Sequence, residues 1–313
     1  MRLAPLFVAL LPAMALLLLV GCADGDPPGA TPRETGEATA ENRITEEGGN
    51  EEKTLDPDFS LTREELEAVV SELPPSIQER VLQEPEHFLD LASQLLREPP
   101  ELLWLVDKEH PLPASYAPED LLMLDRYQGE LSLTREDLSL REMIMEDLFA
   151  MVEAAREEGV ELPVSSTYRS YDYQEWLFNY WVEELGLEEA ERSSARPGTS
   201  QHQLGTTIDF GSISDAFADT EAGLWLAENS WRFGFSLSYP EGYEELTGYK
   251  YESWHFRYIG RPAAEMERTF FGGVQQHMLE FWENRKETLA RAWRNSVAQE
   301  PPVATDGEEL GDK

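Results

Sequence analysis

The chain has 313 residues, of which 62 are acidic and 25 are basic, and its formal net charge is -37. Nucleic acids and anionic lipid faces bind to basic surfaces, so this charge makes both poor partners, and no nucleic-acid partner is expected. The single cysteine, Cys22, leaves no second thiol for an internal disulfide and excludes a zinc site built from cysteines.

The first 22 residues have the pattern of an export signal. Arg2 provides a basic start, residues 3–20 are almost entirely apolar, and Leu-Val-Gly-Cys closes the segment. This ending resembles the lipobox of bacterial lipoproteins, which implies that Cys22 is lipidated and becomes the new N-terminus. We therefore expect a lipoprotein signal peptide at 1–22 and an exported chain anchored to an envelope membrane on its periplasmic or extracellular face. A plain signal peptide or a membrane-spanning anchor is the alternative.

Two segments separate this signal from the main domain. Residues 23–58 are rich in Gly, Pro, Thr and Glu, and they carry only Ile44 and Leu55 as large aliphatic side chains. Such a segment cannot bury enough apolar surface to offset the entropy of ordering, so it is predicted to be a disordered acidic tether. From residue 59 to 99 the apolar residues follow helical spacing, with a second helix expected at Ile77–Leu96, which predicts a helical appendage.

Residues 100–273 interleave predicted helices and strands without regular βαβ repeats. We expect helices at Leu140–Ala155, Tyr171–Leu185 and Thr220–Trp231, and short strands ending near Thr167, at Thr206–Phe210, at 235–240 and at 253–260. A last helix begins after Gly272 and Gly273 and runs to about Ala298, followed by an acidic tail, so 274–313 form the C-terminal segment. This pattern predicts an α+β fold.

Only five histidines are available for metal chemistry. His87 and His277 lie in helical segments beside ordinary core residues, and His110 lies in a proline-rich segment without evident ligand neighbours. The remaining two are His202 and His255. We therefore look for further ligands beside these two.

Carboxylates accompany both of these histidines. On the predicted strand, Asp209 and Thr207 share the face opposite Ile208, and His202 comes from the loop just before it. Glu252 and His255 are three residues apart, so they can serve one site only if Glu252 lies in the turn before the strand. Two histidines and one carboxylate would leave a position open on zinc, as catalysis requires. The alternative is a core strand whose histidine hydrogen-bonds a neighbour.

Several motifs, in order along the chain, resemble the zinc D-alanyl-D-alanine carboxypeptidases of the VanY type, the M15 peptidases. The similarity runs roughly from Leu102 to Gly260 and includes STYRSYDYQ, SARPGTSQHQLGTTIDF and YESWHFRYIG. The family pattern S-x-H-x-x-G-x-A-x-D and its E-x-W-H motif map onto Ser200, His202, Gly205, Thr207 and Asp209, and onto Glu252, Trp254 and His255.

The resemblance implies a small central antiparallel sheet with flanking helices, the M15 or hedgehog-like peptidase fold, within residues 100–273. It also implies that one Zn²⁺ ion is bound by His202, Asp209 and His255, and that Glu252 is the general base. Arg169 takes the position of the family's arginine, which suits an oxyanion or a substrate carboxylate. Gln174 and Ser200 match positions that line the family's cleft, and they are assigned to substrate binding.

The implied activity is hydrolysis of the terminal D-Ala-D-Ala bond in peptidoglycan stem peptides. The sequence does not determine the oligomeric state, and we expect a monomer. L,D-carboxypeptidase activity on tetrapeptides is an alternative, and a catalytically silent wall-binding lipoprotein is another. Two residues depart from the family pattern. Thr207 replaces alanine, so its hydroxyl could contact a ligand or narrow the cleft, and Ser253 replaces proline, which loosens the turn that carries Glu252.

Overall fold

The computed structural model describes residues 54–298, with side chains to residue 293. The predicted signal peptide, the lipidation site Cys22, residues 23–53 of the predicted tether and the tail beyond residue 298 therefore lie outside the described residues. The described end of the predicted tether contacts the fold, since the Leu55 amide donates to the carbonyl of Leu61 at 2.9 Å.

Short strands form one five-stranded sheet and one separate pair. The strands are β1 (Leu121–Met123), β2 (Ser132–Leu133), β3 (Ser139–Arg141), β4 (Pro163–Ser166), β5 (Thr207–Phe210), β6 (Phe235–Leu237) and β7 (His255–Tyr258). The large sheet has the order β2-β4-β5-β7-β6, and β1 pairs with β3. All pairs are antiparallel except β2 with β4. The predicted α+β fold with a small sheet is confirmed, but one edge pair of that sheet is parallel.

The two central strands determine where the site lies. Asp209 on β5 is directly opposite His255 on β7, and Ile208 is opposite Phe256. Directly opposite residues in an antiparallel pair project from the same face of the sheet. The register therefore places Asp209 and His255 side by side.

Ten α-helices surround the sheet in the described part of the chain. They are α1 (Arg63–Val70), α2 (Pro75–Gln83), α3 (Pro85–Leu95), α4 (Met145–Glu157), α5 (Tyr171–Leu185), α6 (Leu187–Ser193), α7 (Glu221–Asn229), α8 (Glu244–Thr247), α9 (Arg261–Phe270) and α10 (Gln275–Ala298). Within residues 54–298, no helix combines the length and the apolar character that crossing a membrane requires.

Two predicted helices have different boundaries in the structure. The single helix expected at Ile77–Leu96 is wrong: α2 and α3 are separate, because Pro85 has no N–H to continue α2 and instead occupies the first position of α3. The helix expected at Leu140–Ala155 begins only at Met145, because residues 139–141 form β3 and pair with β1. Leu140 fits the apolar stripe of a helix and the buried side of a strand equally well. Its secondary structure is therefore decided by its pairing with Leu122 on β1.

The helices expected to form an appendage share the core of the sheet-bearing part. The ring of Phe88 on α3 contacts Phe270 on α9 and Phe281 on α10 edge to face, at centroid distances of 5.3 and 5.8 Å. These residues belong to the same buried hydrophobic cluster as Ile208 on β5 and Leu148 on α4. The N-terminal helices, α9 and α10 thus form one layer around a common core.

Candidate metal centre and active-site cleft

His202, Asp209 and His255 converge on one buried point. The Nε2 atom of His202 lies 3.2 Å from Asp209 Oδ2, and the Nδ1 atom of His255 lies 3.1 Å from Asp209 Oδ1. One ligand atom from each residue lies within 4.8 Å of the others. The three side chains come from a 3-10 turn at Gln201–Leu204, from β5 and from the start of β7.

The backbone around His202 sets both its position and its tautomer. The 3-10 turn ends at Gly205, which has φ +73° and lies so close to Arg141 that a Cβ atom would approach that side chain to 3.0 Å. The Nδ1–H of His202 donates to the carbonyl oxygen of Thr167 at 2.6 Å. The Nε2 lone pair therefore points toward Asp209, in the form that binds a metal.

His255 is oriented by Gln201. The Oε1 atom of Gln201 lies 3.3 Å from His255 Nε2 and accepts a bond from Ser238 Oγ at 2.7 Å. An amide oxygen only accepts, so Nε2 of His255 carries the proton and Nδ1 faces Asp209 with a free lone pair. The Nε2 amide of Gln201 donates to Oε1 of Gln275 on α10 at 3.2 Å.

The electrostatics favour a cation at the convergence point. Burial, aided by the charge of Arg169, lowers the pKa of His202 to about 4, so its imidazole is neutral at pH 7. Burial acts to raise the pKa of Asp209, but its contacts with His202 and His255 outweigh burial and hold that pKa well below its usual range. Neutral imidazoles and an ionised carboxylate are the forms that bind metals.

The same atoms lack other partners. Within residues 54–293, the buried Nε2 of His202 and the buried Oδ1 of Asp209 have no hydrogen-bond partner. Buried polar atoms without partners are costly and call for an explanation. Two imidazole nitrogens and one carboxylate match the ligand set of a catalytic zinc ion and leave its fourth position open. The residues present therefore fit a zinc ion.

Glu252 lies in the turn before β7, which is the condition for it to share a site with His255. The amide of His255 donates to the Glu252 carbonyl at 3.1 Å, which closes this turn, and the Glu252 amide donates to the carbonyl of Tyr239 at 3.1 Å. Its Oε2 lies 3.4 Å from His255 Nδ1. Burial and then the charge of Asp209 raise the pKa of Glu252 to about 8. A carboxyl group with a pKa near neutral pH can both take and return a proton.

Arg169 and Ser200 line the cleft, whereas Gln174 lies beneath it. Arg169 Nη2 is 3.8 Å from Asp209 Oδ2, and its Nη1 donates to Gln174 Oε1 at 3.1 Å. Gln174 is almost fully buried, and its amide nitrogen donates to the carbonyl of Ala195 at 2.7 Å. Gln174 was assigned to substrate contact, but its burial leaves it holding the arginine that faces the cleft.

Thr207 does not reach the candidate ligands. Its buried hydroxyl donates to the carbonyl oxygen of Gln201 at 3.1 Å, so it braces the turn that carries His202. The residue is absent from the lining of the cleft within the described part of the chain. The hydroxyl of Thr207 therefore neither binds a ligand side chain nor narrows the cleft.

The cleft above this centre has a volume of about 790 Å³, within the range of pockets that bind small ligands. His202, Asp209 and His255 form part of its lining, and α5 contributes one wall. Trp254 of the E-x-W-H motif also lines the cleft, and further lining residues that the sequence does not single out are Tyr168, Tyr239 and Tyr249. Tyr239 packs at 4.7 Å from the ring of His255. Aromatic residues are common in cores, so only the fold could distinguish these.

The other three histidines lie apart from the centre. His87 Nε2 lies 3.1 Å from Glu265 Oε1, and His277 packs edge to face on Tyr243. His110 has a neighbour that the sequence did not reveal, since its Nδ1 lies 2.8 Å from Asp107 Oδ1. Among the described residues, none of the three joins a group that could hold a metal.

Comparisons with known proteins agree with this arrangement. The family model "VanY: D-alanyl-D-alanine carboxypeptidase" matches residues 137–261. The "Putative carboxypeptidase YodJ" of Bacillus subtilis is 34% identical over 194 residues, which cover 58% of this chain and 70% of the relative. A "D-alanyl-D-alanine carboxypeptidase" of Enterococcus faecalis is 37% identical over 171 residues, 52% of this chain and 60% of that protein.

Among solved structures, the LdcB LD-carboxypeptidase, described with its basis of peptidoglycan recognition, is similar with a TM-score of 0.53 and 34% identity. The match covers 58% of this chain and 87% of that one. The matched family region contains the three candidate ligands together with Arg169 and Glu252. The chain therefore belongs to the VanY family of zinc metallopeptidases.

Proposed function

We propose that the protein is a zinc-dependent carboxypeptidase that removes the terminal D-alanine from peptidoglycan stem peptides ending in D-Ala-D-Ala. His202, Asp209 and His255 are its proposed zinc ligands. The observation that carries the proposal is the convergence of their ligand atoms within 4.8 Å at the floor of an open cleft, with Glu252 beside them. The names of the VanY family and of the Enterococcus faecalis relative support the substrate.

Each side chain of the centre has a separate task. A zinc ion bound there polarises the scissile carbonyl group and lowers the pKa of water. Glu252 takes a proton from the attacking water as the new C–O bond forms. It passes this proton to the amine nitrogen as the C–N bond breaks, so that D-alanine leaves with a neutral or protonated amine. The Thr167 carbonyl and Gln201 hold the two imidazoles in the required tautomers.

Arg169 supplies a positive charge on the cleft wall beside the proposed zinc ligands. Gln174 holds its guanidinium from below, and Nη2 points toward the centre. A guanidinium fork binds planar oxygen pairs, so Arg169 binds the terminal carboxylate of the substrate or the oxyanion that develops during attack. In the first of these roles Arg169 would select substrates with a free C-terminus.

Replacing the proposed base tests this function. We expect Glu252→Gln to lower kcat for D-alanine release from a pentapeptide by about 10²- to 10⁴-fold, because a positioned proton carrier contributes that much. Zinc content measured in the same sample should stay at one ion per chain. Glu241→Gln, an exposed carboxylate in the preceding loop, is the matched control and should retain activity. A Glu252→Gln enzyme as fast as the parent would refute the mechanism.

The structural similarity to an LD-carboxypeptidase favours a second candidate bond. An L,D-carboxypeptidase would release D-alanine from tetrapeptides rather than from pentapeptides. Parallel digests of the two peptides, with released products identified by mass, decide between the bonds. Hydrolysis of either peptide would also exclude a catalytically silent wall-binding protein.

We further propose that the chain is exported and held on an envelope membrane by a lipid at Cys22. The apolar run ending in Leu-Val-Gly-Cys at residues 19–22 supports this anchor. Cells expressing the chain should incorporate labelled fatty acid into it, and Cys22→Ser should abolish the label and release the protein from the membrane fraction. A wild-type chain that carries no label would contradict the anchor.

A further inference from the structure

Helix α5 places most of its aromatic residues outside the core. Six of its 15 residues are aromatic, yet only Gln174 and Phe178 are buried. Tyr173, Trp176 and Tyr180 have exposed fractions of 40, 59 and 42%. Contiguous exposed apolar surface on a soluble domain usually marks a binding site, whereas single exposed residues do not.

These three residues form one continuous surface, which we call the aromatic stripe. Their spacing of three and four residues places them on the same face of the helix. The rings of Trp176 and Tyr180 are nearly parallel, at 19°, with centroids 6.0 Å apart, and Tyr173 lies 5.6 Å from Trp176. The rings therefore support one another while they stay exposed to solvent, so a ligand can pack on them with little further loss of side-chain entropy.

The aromatic stripe continues into the active-site cleft. Tyr173 belongs both to the stripe and to the wall of the cleft, and Leu177, Trp181 and Leu185 extend that wall along the same helix. Tyr180 contacts Trp181 edge to face at 5.1 Å. A ligand that enters the cleft can thus continue onto the stripe without leaving α5.

The charge around the stripe restricts its occupant. Helix α5 carries Asp172, Glu175, Glu183 and Glu184 and has no lysine or arginine. Arg135, which hydrogen-bonds Tyr173, is neutralised by its ion pair with Asp137. Anionic lipids and phosphate-bearing polymers are repelled by such a face. A neutral ligand with many hydroxyl groups suits it, since its C–H faces pack on aromatic rings and its hydroxyls donate to carboxylates.

We propose that the aromatic stripe binds the neutral glycan strand to which the stem peptide is attached. This inference rests on the proposed function, which places the free end of that peptide in the cleft. An extended stem of five residues spans at most about 18 Å. Helix α5, with its 15 residues, is about 22 Å long, so the sugar end of a bound stem falls within its reach.

A binding experiment tests the stripe without turnover. The full chain is titrated with glycan strands stripped of stem peptides, and with intact peptidoglycan freed of anionic polymers. Trp176→Ala with Tyr180→Ala should weaken both interactions about tenfold, or roughly 1.4 kcal/mol. Leu224→Ala, which removes an exposed apolar side chain of α7, is the matched control and should bind as the parent does. Trp176→Phe with Tyr180→Phe should restore binding, since both rings remain.

A kinetic experiment separates the stripe from the chemistry. The double alanine variant should hydrolyse a free pentapeptide as the parent does, because neither Trp176 nor Tyr180 lines the cleft. On a glycan-linked pentapeptide its KM should rise about tenfold while kcat stays unchanged, since the lost contact stabilises the bound ground state and the transition state equally. If the parent hydrolyses neither substrate, the proposed function fails. The binding experiment still decides whether the stripe binds glycan.

Three outcomes would overturn the inference. Unchanged binding to peptide-free glycan would show that the stripe does not recognise sugars. If the double alanine variant lost activity equally on the free and on the glycan-linked peptide, the stripe would belong to the peptide-binding cleft. Binding of the parent to phosphatidylglycerol vesicles, lost in the double variant while glycan binding is retained, would identify a membrane surface instead.

Discussion

Gln201 connects the metal centre to the last helix of the fold. Its amide oxygen accepts from His255 and Ser238, and its amide nitrogen donates to Gln275 on α10. Gln275 lies beyond the region that matches the family model, which ends at residue 261. The C-terminal helix thus takes part in orienting a proposed zinc ligand.

Removing this amide should weaken zinc binding. We expect Gln201→Leu to lower the zinc affinity by about 10- to 100-fold, because His255 loses the partner that fixes its tautomer. Competition with a chromophoric chelator measures this affinity without any substrate. Gln275→Leu should also lower the zinc affinity, but by less, since Ser238 still holds Gln201.

Gln203→Leu is the matched control for this variant. Gln203 is equally buried, but its amide nitrogen donates to the carbonyls of Pro113 and Tyr116 and touches no proposed ligand. It should lower the melting temperature while leaving the zinc affinity unchanged. A Gln203 variant that loses zinc to the same extent would reduce Gln201 to a packing residue.

At the scale of elements, two glycines with the same backbone conformation differ in their surroundings. Gly234 follows a 3-10 turn before β6 with φ +81°, and a Cβ atom there would lie 2.9 Å from the amide nitrogen of Arg261. Gly159 ends α4 with φ +80° and has nothing within 4 Å of a Cβ position. An alanine at Gly159 would therefore meet backbone strain alone, whereas an alanine at Gly234 would meet both backbone strain and a steric clash.

Alanine at these two sites should therefore have unequal costs. Gly159→Ala should lower the free energy of unfolding by about 1–2 kcal/mol through left-handed strain alone. Gly234→Ala should lower the free energy of unfolding by about 1–3 kcal/mol beyond this strain, because the backbone of α9 has to move. Urea unfolding of both variants measures the difference, and equal losses would contradict the close approach of α9 to this turn.

Helix α9 also carries a buried carboxyl group that makes stability depend on pH. Burial raises the pKa of Glu267 to about 7, and its Oε2 has no hydrogen-bond partner within the described side chains. Between pH 4.5 and 7, Glu267 therefore keeps its proton in the folded chain, whereas in the unfolded chain, where its pKa is near the usual value of 4.5, it has released that proton. The resulting stabilisation is complete below pH 4.5 and is lost as the pH rises through 7.

We expect Glu267→Gln to remove this dependence. The variant should gain up to about 3 kcal/mol over the parent at pH 8 and show no gain at pH 4. Urea unfolding at several pH values gives the difference curve, in which all other titrating groups cancel. A difference that does not change between pH 4 and pH 8 would show that Glu267 is already ionised in the fold.

At the scale of the whole molecule, the net charge of -37 opposes compaction. Added salt screens this repulsion, because the Debye length falls from about 30 Å at 0.01 M to about 3 Å at 1 M. We expect the melting temperature to rise with sodium chloride over this range. An equal rise with sucrose at matched osmolality, or no rise with salt, would contradict an electrostatic cause.

The helices that the sequence located well are those with local signals. Tyr171–Leu185 is α5 in the structure, because Ser170 caps its first turn and Gly186 follows its last residue. Leu140, by contrast, belongs to a strand, since its partner Leu122 lies far away in the sequence. The spacing of apolar residues along the chain reports only local preference. Whether three residues form a strand depends on the strand with which they pair.

The candidate site shows the same division. The sequence alone determined the residue types and their spacing: two histidines, the carboxylates Asp209 and Glu252, and the guanidinium of Arg169 in an ordered family pattern. It also determined that Glu252 could join His255 only from a turn. These conclusions follow from covalent order and from the two-residue period of a strand.

Only the tertiary structure decided which further groups surround these residues. It placed Gln174 beneath Arg169, turned the Thr207 hydroxyl toward the Gln201 carbonyl and brought Gln275 of α10 into a hydrogen bond with Gln201. It also left Trp176 and Tyr180 on the surface, although their spacing suits a core as well. Burial and hydrogen bonding depend on residues that are distant along the chain, so they are settled only when the sheet and its helices pack together.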